Sequence, residues 1–311
     1  MRRIIPLVIG VLGLVTAGFV ISGSAHAATT TLVAGLLASN QVPPAASTAT
    51  GYVTVTIDDT TDQVCVAGKV DDLSSALTLD HIHKGAAGTN GPVVVDFSGS
   101  LDTCVASTAA VVDDILADPA GFYFNVHTTN FPSGEVRGQL VTPQVTTLHA
   151  DASAANEVPP VESSAAGPVT VTVDSAINKV CVDATGITGL HGIVSGSHIH
   201  SGAAGVNGPV VVNFNGQVQN CVIADGATVS AILANPPLFY YNVHTEQFGG
   251  GEARGQLAAQ VTPTTTSTTT STSTSTSTTS STSSTSTTST TVAPASTPVA
   301  SPVNASPAFT G

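Results

Sequence analysis

One stretch occurs twice in the chain. Asp80-His81-Ile82-His83-Lys84-Gly85-Ala86-Ala87-Gly88-Thr89-Asn90-Gly91-Pro92-Val93-Val94-Val95 returns as Ser197-His198-Ile199-His200-Ser201-Gly202-Ala203-Ala204-Gly205-Val206-Asn207-Gly208-Pro209-Val210-Val211-Val212. Asn125-Val126-His127-Thr128 and Gly134-Glu135-Val136-Arg137-Gly138-Gln139-Leu140 return at the same offset, as Asn242-Val243-His244-Thr245 and Gly251-Glu252-Ala253-Arg254-Gly255-Gln256-Leu257. Duplication over about 115 residues, an ordinary domain length, predicts two copies of one domain, at 28–143 and 144–263.

The ends are of another kind. Residues 1–27 open with Arg2 and Arg3, continue as an apolar run from Ile4 to Ile21, and close on Ala25-His26-Ala27. This is the pattern of a secretory signal peptide with cleavage after Ala27. Residues 264–311 are mostly Ser, Thr, Pro and Ala and carry no charge. Such a segment buries too little apolar surface to offset its ordering entropy, so a disordered, extended stalk is expected. The closing Pro307-Ala308-Phe309-Thr310-Gly311 is similar to a wall-sorting signal but lacks the leading Leu-Pro pair. The mature chain is expected to be secreted or attached to the cell surface or cell wall, with no transmembrane span and as a monomer.

The first repeat sets twelve acids against Lys69, Lys84 and Arg137; the second sets eight against Lys179 and Arg254. So few bases cannot neutralise a phosphate backbone, which excludes nucleic acid as a partner. Cys65 and Cys104 occupy the same places in the first repeat as Cys181 and Cys221 in the second. In an exported chain this predicts one disulfide per repeat.

Turn residues and period-2 alternation predict seven strands in the first repeat: Thr29–Ala38, Tyr52–Ile57, Val64–Val70, Leu77–Lys84, Pro92–Phe97, Phe122–Thr128 and Glu135–Val141. Thr108–Ala117 reads as a short helix ended by Asp118-Pro119. The fold class is all-β, two tandem antiparallel β-sandwiches with one short helix each. Asp58-Asp59-Thr60-Thr61-Asp62 suggests a calcium loop, but its counterpart Asp174-Ser175-Ala176-Ile177-Asn178 lacks the acids, so a hairpin turn is expected.

Side chains alternate across a strand. The parity places His81, His83, Asn125, His127, Glu135, Arg137 and Gln139 on the polar sides of three strands. The second repeat places His198, His200, Asn242, His244, Glu252, Arg254 and Gln256 likewise. Thr or Ser would solvate a sheet face equally well, so the concentration of imidazole is informative. Three histidines of this kind suit copper or zinc. The competing reading is structural: histidines that pin the Gly-rich loop, with Glu135 and Arg137 as an ion pair. His149 and His191 have no histidine mate in the other repeat.

These motifs, present in order in both repeats, resemble the CHRD domain, a module of the developmental antagonist chordin and of many bacterial exported proteins. The resemblance implies an extracellular immunoglobulin-like β-sandwich and no settled activity. A fainter resemblance is to copper–zinc superoxide dismutase, also a β-sandwich with a His-x-His pair. Here each repeat offers three candidate ligands and no bridging histidine, so dismutase activity is not expected. No Gly-x-Ser-x-Gly, phosphate loop or Cys-x-x-Cys is present. The expected function is a non-catalytic binding or structural module for an extracellular protein, polysaccharide or matrix. The alternative is a copper or zinc protein, or a metalloenzyme, built on the three histidines.

Overall fold

The computed structural model describes residues 29–259. The expected signal peptide and Ser/Thr-rich tail lie outside the described residues. The first repeat runs β1 (Thr29–Leu37), β2 (Thr50–Asp58), β3 (Gln63–Asp71), β4 (Leu77–Lys84), β5 (Val93–Asp96), β6 (Asp102–Ala106), α1 (Ala109–Ala117), β7 (Phe122–Thr128) and β8 (Val136–Gln139). The second runs β9 (Val145–Ser153), β10 (Ala166–Asp174), β11 (Lys179–Asp183), β12 (Val194–Ser201), β13 (Val210–Asn213), β14 (Gln219–Ile223), α2 (Gly226–Ala234), β15 (Phe239–Thr245), β16 (Ala253–Gln256) and the two-residue β17 (Ala258–Ala259).

Strand order in the first repeat is β5-β4-β7-β8-β1-β2-β3-β6, and the second repeats it as β13-β12-β15-β16-β9-β10-β11-β14. All pairings are antiparallel. Alternation explains how one sheet makes a sandwich. On β2, Val53, Val55 and Ile57 are fully buried, while Tyr52, Thr54 and Thr56 between them are half-buried. Ile82 of β4, Phe124 and Val126 of β7 and Val136 of β8 belong to the same buried cluster. The layers β6-β3-β2-β1 and β8-β7-β4-β5 therefore face one another over one core. They join where Leu37 pairs with Arg137 and Val33 bridges Val141. Helix α1 starts at Thr108, whose hydroxyl accepts from the Val111 N–H, and buries Val112 and Ile115.

Eight strands form where seven are legible in the sequence. The additional strand is β6, five residues at the sheet edge whose side chains are at best half-buried. It lacks the apolar alternation that betrays the others. Its pairing with β3 sets Cys104 opposite Cys65, and the two are joined. Cys181 and Cys221 are joined in the same way across β11 and β14. Each bridge closes a loop of about 40 residues and contributes roughly 3–4 kcal/mol in the chain-entropy picture. The Asp58 turn is a hairpin turn: Asp58 Oδ1 accepts from the backbone N–H groups of Thr60 and Thr61 and from the Thr60 hydroxyl.

The strand register decides what the histidines can do. On β4, His81 stands opposite Asn125 of β7, and His83 stands opposite Tyr123. On its other side β4 meets a bulge, since Ile82 pairs with Val95 but His83 pairs with Val93. The extra residue, Val94, belongs to β5, and the shift of β4 against β7 falls earlier, at Thr78, so the alternation from His81 to His83 is undisturbed and both imidazoles stay on one face.

Candidate metal centre

His81, His83 and His127 converge. Their ring centroids lie 5.5 Å (His81–His83), 5.1 Å (His81–His127) and 6.1 Å (His83–His127) apart. His198, His200 and His244 repeat this at 5.6, 5.1 and 6.1 Å. In each trio one nitrogen per ring lies within 4.8 Å of one from each of the others. His81, His83 and His127 are each 8 % exposed.

The hydrogen bonds fix the tautomers. His83 Nδ1 lies 3.0 Å from the Gly91 carbonyl oxygen, and His127 Nδ1 lies 3.0 Å from that of Pro132. A carbonyl oxygen only accepts, so each Nδ1 carries the proton and each Nε2 keeps a bare lone pair. Those Nε2 atoms are buried and have no partner. His81 is turned the other way. Its Nε2 lies 3.4 Å from Asp96 Oδ1, and its buried Nδ1 is unpartnered. The second repeat leaves the same three atoms unpartnered, His198 Nδ1, His200 Nε2 and His244 Nε2. His200 and His244 use Nδ1 on the carbonyl oxygens of Gly208 and Gly249. Each site thus gathers three buried ring nitrogens without partners; on His83, His127, His200 and His244 the Nδ1–H bond makes that nitrogen a lone-pair acceptor.

Electrostatics favour the neutral form of His83, His127, His198 and His200. Burial lowers the pKa of His83, and neighbouring His81, His127 and Arg137 add to it. Burial, with His81, does the same to His127, and burial lowers His200. His198 is pulled down to about 4 by burial, with His244 and His200 adding to it. Neutral imidazole is the metal-binding form.

Arg137 lies behind the histidines. Its guanidinium carbon sits 3.4 Å from the centre of the Tyr123 ring, whose other neighbour across β7 is His83, stacked at 4.8 Å. It donates to the Ala86 carbonyl, to Asn90 Oδ1 and to Gln139 Oε1. Gln139 donates to the Gly85 carbonyl, and the Tyr123 hydroxyl accepts from the Gly91 N–H. Together they hold the loop 85–91, where Gly88 has a φ of +78° and a Cβ on Gly91 would lie 1.7 Å from the Lys84 carbonyl oxygen. Arg254, stacked on Tyr240, holds the equivalent loop through Asn207 and the carbonyls of Ala203 and Val206. Tyr123 and Tyr240 are site residues that the sequence reading passes over; the parity that groups Asn125 with His127 was the signal.

The expected Glu135–Arg137 ion pair does not form, nor does its counterpart Glu252–Arg254. Glu135 precedes β8 and is fully buried elsewhere. Its carboxylate accepts from the hydroxyls of Ser47, Ser74 and Thr128 and from the Ser74 N–H. Glu252 accepts from Ser163, Thr245 and both the backbone and ring of His191. His191 thus does in the second repeat what Ser74 does in the first.

Asn125 accepts from Gln41, which lies in the connection between β1 and β2. Glu157 stands in its place beside Asn242. Burial pushes its carboxyl up to about 7, against the pull of Arg254 and Asn242. Glu157 Oε1 and Asn242 Oδ1 are buried without partners. A carboxyl with a raised folded pKa is fully stabilising below its unfolded value near 4.5, and that contribution is lost as pH rises through 7. Glu157→Gln supplies the amide donor of Gln41 and cannot ionise. It is expected to stabilise the second repeat by roughly 1 kcal/mol at pH 8 and by less at pH 4.5, read from urea melts at both pH values.

The family model described as CHRD domain matches residues 32–140 and again 148–257. No curated protein matches the chain. Each match begins in the first strand of a repeat and ends just past its last long one, and each contains the whole histidine, arginine and glutamate set. The chain belongs to the CHRD domain family, with two CHRD domains in tandem.

Proposed function

We propose that this is an exported module of two CHRD domains that acts by binding, and that each domain holds one divalent copper or zinc ion on three imidazoles. His81 Nδ1, His83 Nε2 and His127 Nε2 form the first site; His198 Nδ1, His200 Nε2 and His244 Nε2 form the second. The observation that carries this reading is the convergence of three histidines, each with a buried ring nitrogen that has no partner, on the same atoms in both repeats. A buried acceptor without a partner costs about 1–3 kcal/mol. A cation removes that cost for all three at once. Tetrahedral zinc with bonds of about 2.0–2.1 Å needs nitrogens about 3.4 Å apart, so nitrogens that lie within 4.8 Å of one another have to draw in by at most about 1.4 Å. Two carbonyl-bound Nδ1–H groups per site orient the ligands, as outer partners do in metal sites.

Export is supported by the leader pattern, the family and the disulfides. Among the described residues no helix is long and apolar enough to cross a membrane. The structural reading keeps one specific support, the grip of His83 and His127 on the carbonyls of Gly91 and Pro132. Calorimetric titration of tag-free chain with Zn²⁺ and Cu²⁺ at pH 7 separates the two. Binding in the micromolar range or tighter supports the metal reading. Binding no better than millimolar leaves the histidines as loop anchors.

We further propose that residues 28–143 and 144–263 fold independently, since each repeat has its own core, disulfide and loop anchors. Expressed separately, each is expected to melt cooperatively. If neither does, the division is wrong.

A further inference from the structure

Among the residues that differ between the two histidine sites, one faces the first ligand from the neighbouring edge strand. On β5, Asp96 pairs across the ladder with His81; at the equivalent place on β13, Asn213 pairs with His198. Asp96 Oδ1 reaches to 3.4 Å from His81 Nε2. The contact is longer than a good hydrogen bond, and the negative charge beside Nε2 favours the proton there over Nδ1, which faces the site. Asn213 brings no charge; its Oδ1 accepts from the Asn215 N–H at 2.8 Å just as Asp96 Oδ1 accepts from the Ser98 N–H at 2.7 Å, so the charge is what distinguishes the two. His198 makes no hydrogen bond to it and is more exposed than His81.

We propose that Asp96 is a positioning residue that makes the first site the tighter of two unequal metal sites. This rests on the metal reading above. The carboxylate acts in two ways. It selects the productive tautomer of His81, and it places a negative charge one imidazole away from a divalent cation. Outer-shell carboxylates of this kind change metal affinity by about 10–100-fold. Asp96 is half exposed to solvent, which screens its charge, so the lower end of that range, about tenfold, applies here. Where zinc is scarce, the first site fills while the second stays open.

The test is zinc titration of the full chain in wild-type, Asp96→Asn and Asn213→Asp forms, with His83→Ala and His200→Ala backgrounds reporting each site alone. Wild type is expected to show two affinities about tenfold apart, the tighter one in the His200→Ala background. Asp96→Asn is expected to weaken the first site about tenfold, and Asn213→Asp to tighten the second by a similar factor. A gain at the second site cannot come from lost stability, and nitrogen-15 shifts of the His81 ring report its tautomer without metal. Equal affinities in wild type, or an Asn213→Asp chain that binds no more tightly, overturn the inference and leave the metal sites standing. No zinc binding in any form overturns both.

Discussion

Glu135→Ala is expected to destabilise the first repeat by about 4 kcal/mol, and Glu252→Ala the second by a similar amount. The Glu135 carboxylate is fully buried and takes four hydrogen bonds, from Ser47, Ser74 twice, and Thr128. These donors come from the segments before β2, before β4 and at the end of β7, so one side chain ties three pieces of chain together. Truncation orphans all four donors, and removing a buried charged partner typically costs about 3–5 kcal/mol. Burial raises the pKa of this carboxyl, but the four bonds together outweigh it and hold it below the usual carboxylate range. A lowered folded pKa gives stability that is complete above the unfolded value and is lost as pH falls through the folded one. Wild type should therefore lose stability below about pH 4.5, the unfolded glutamate value, and Glu135→Ala should show a shallower acid slope. Denaturant melts of the isolated first repeat across pH 3–7 check both. A loss under 1 kcal/mol would mean that water replaces the carboxylate at little cost.

His83→Ala is expected to abolish metal binding at the first site, and His200→Ala at the second, with a loss of at least a thousandfold in affinity. In the proposed sites each ion would be held by three protein nitrogens, and removing one leaves a two-imidazole fragment with no geometric closure. His83 also anchors Gly91 and stacks on Tyr123, so the variant should melt at a lower temperature even without metal. His83→Gln serves as the control. It can still reach toward the loop but is a poor ligand, so it should recover part of the stability and none of the affinity. Recovery of affinity by glutamine would point away from imidazole ligation.

The histidine trio was legible because strand parity is a local rule that the fold respected. One bulge near the site lies on β5 and the other at Thr78, ahead of the histidines, so β4 is regular from Leu79 to His83. His81, His83 and His127 therefore emerge on one face as alternation requires. The same rule misplaced Glu135 for a definite reason. β8 begins at Val136, after a turn in which Gly134 adopts a φ of +117°, and a residue outside the ladder is not bound by its alternation. Gln41 and Glu157 were invisible because they lie in a proline-rich connection that folds back over the site. Ser47 and Ser74 carry no signal at all, since a neutral loop serine reads as solvent-facing. Alternation names a face, while partners drawn from loops come only with the tertiary structure. The edge strand β6 escaped for lack of buried apolar residues, although the cysteine it carries was paired from the repeat alone.

The central claim is a three-imidazole metal centre in each repeat, and metal stoichiometry tests it most directly. Tag-free full chain is loaded with zinc at pH 7, desalted, and measured by elemental analysis beside His83→Ala, His200→Ala and the double variant. The account predicts two ions per chain in wild type, one in each single variant and none in the double. A wild-type chain that retains no zinc, or a double variant that retains as much as wild type, would contradict it.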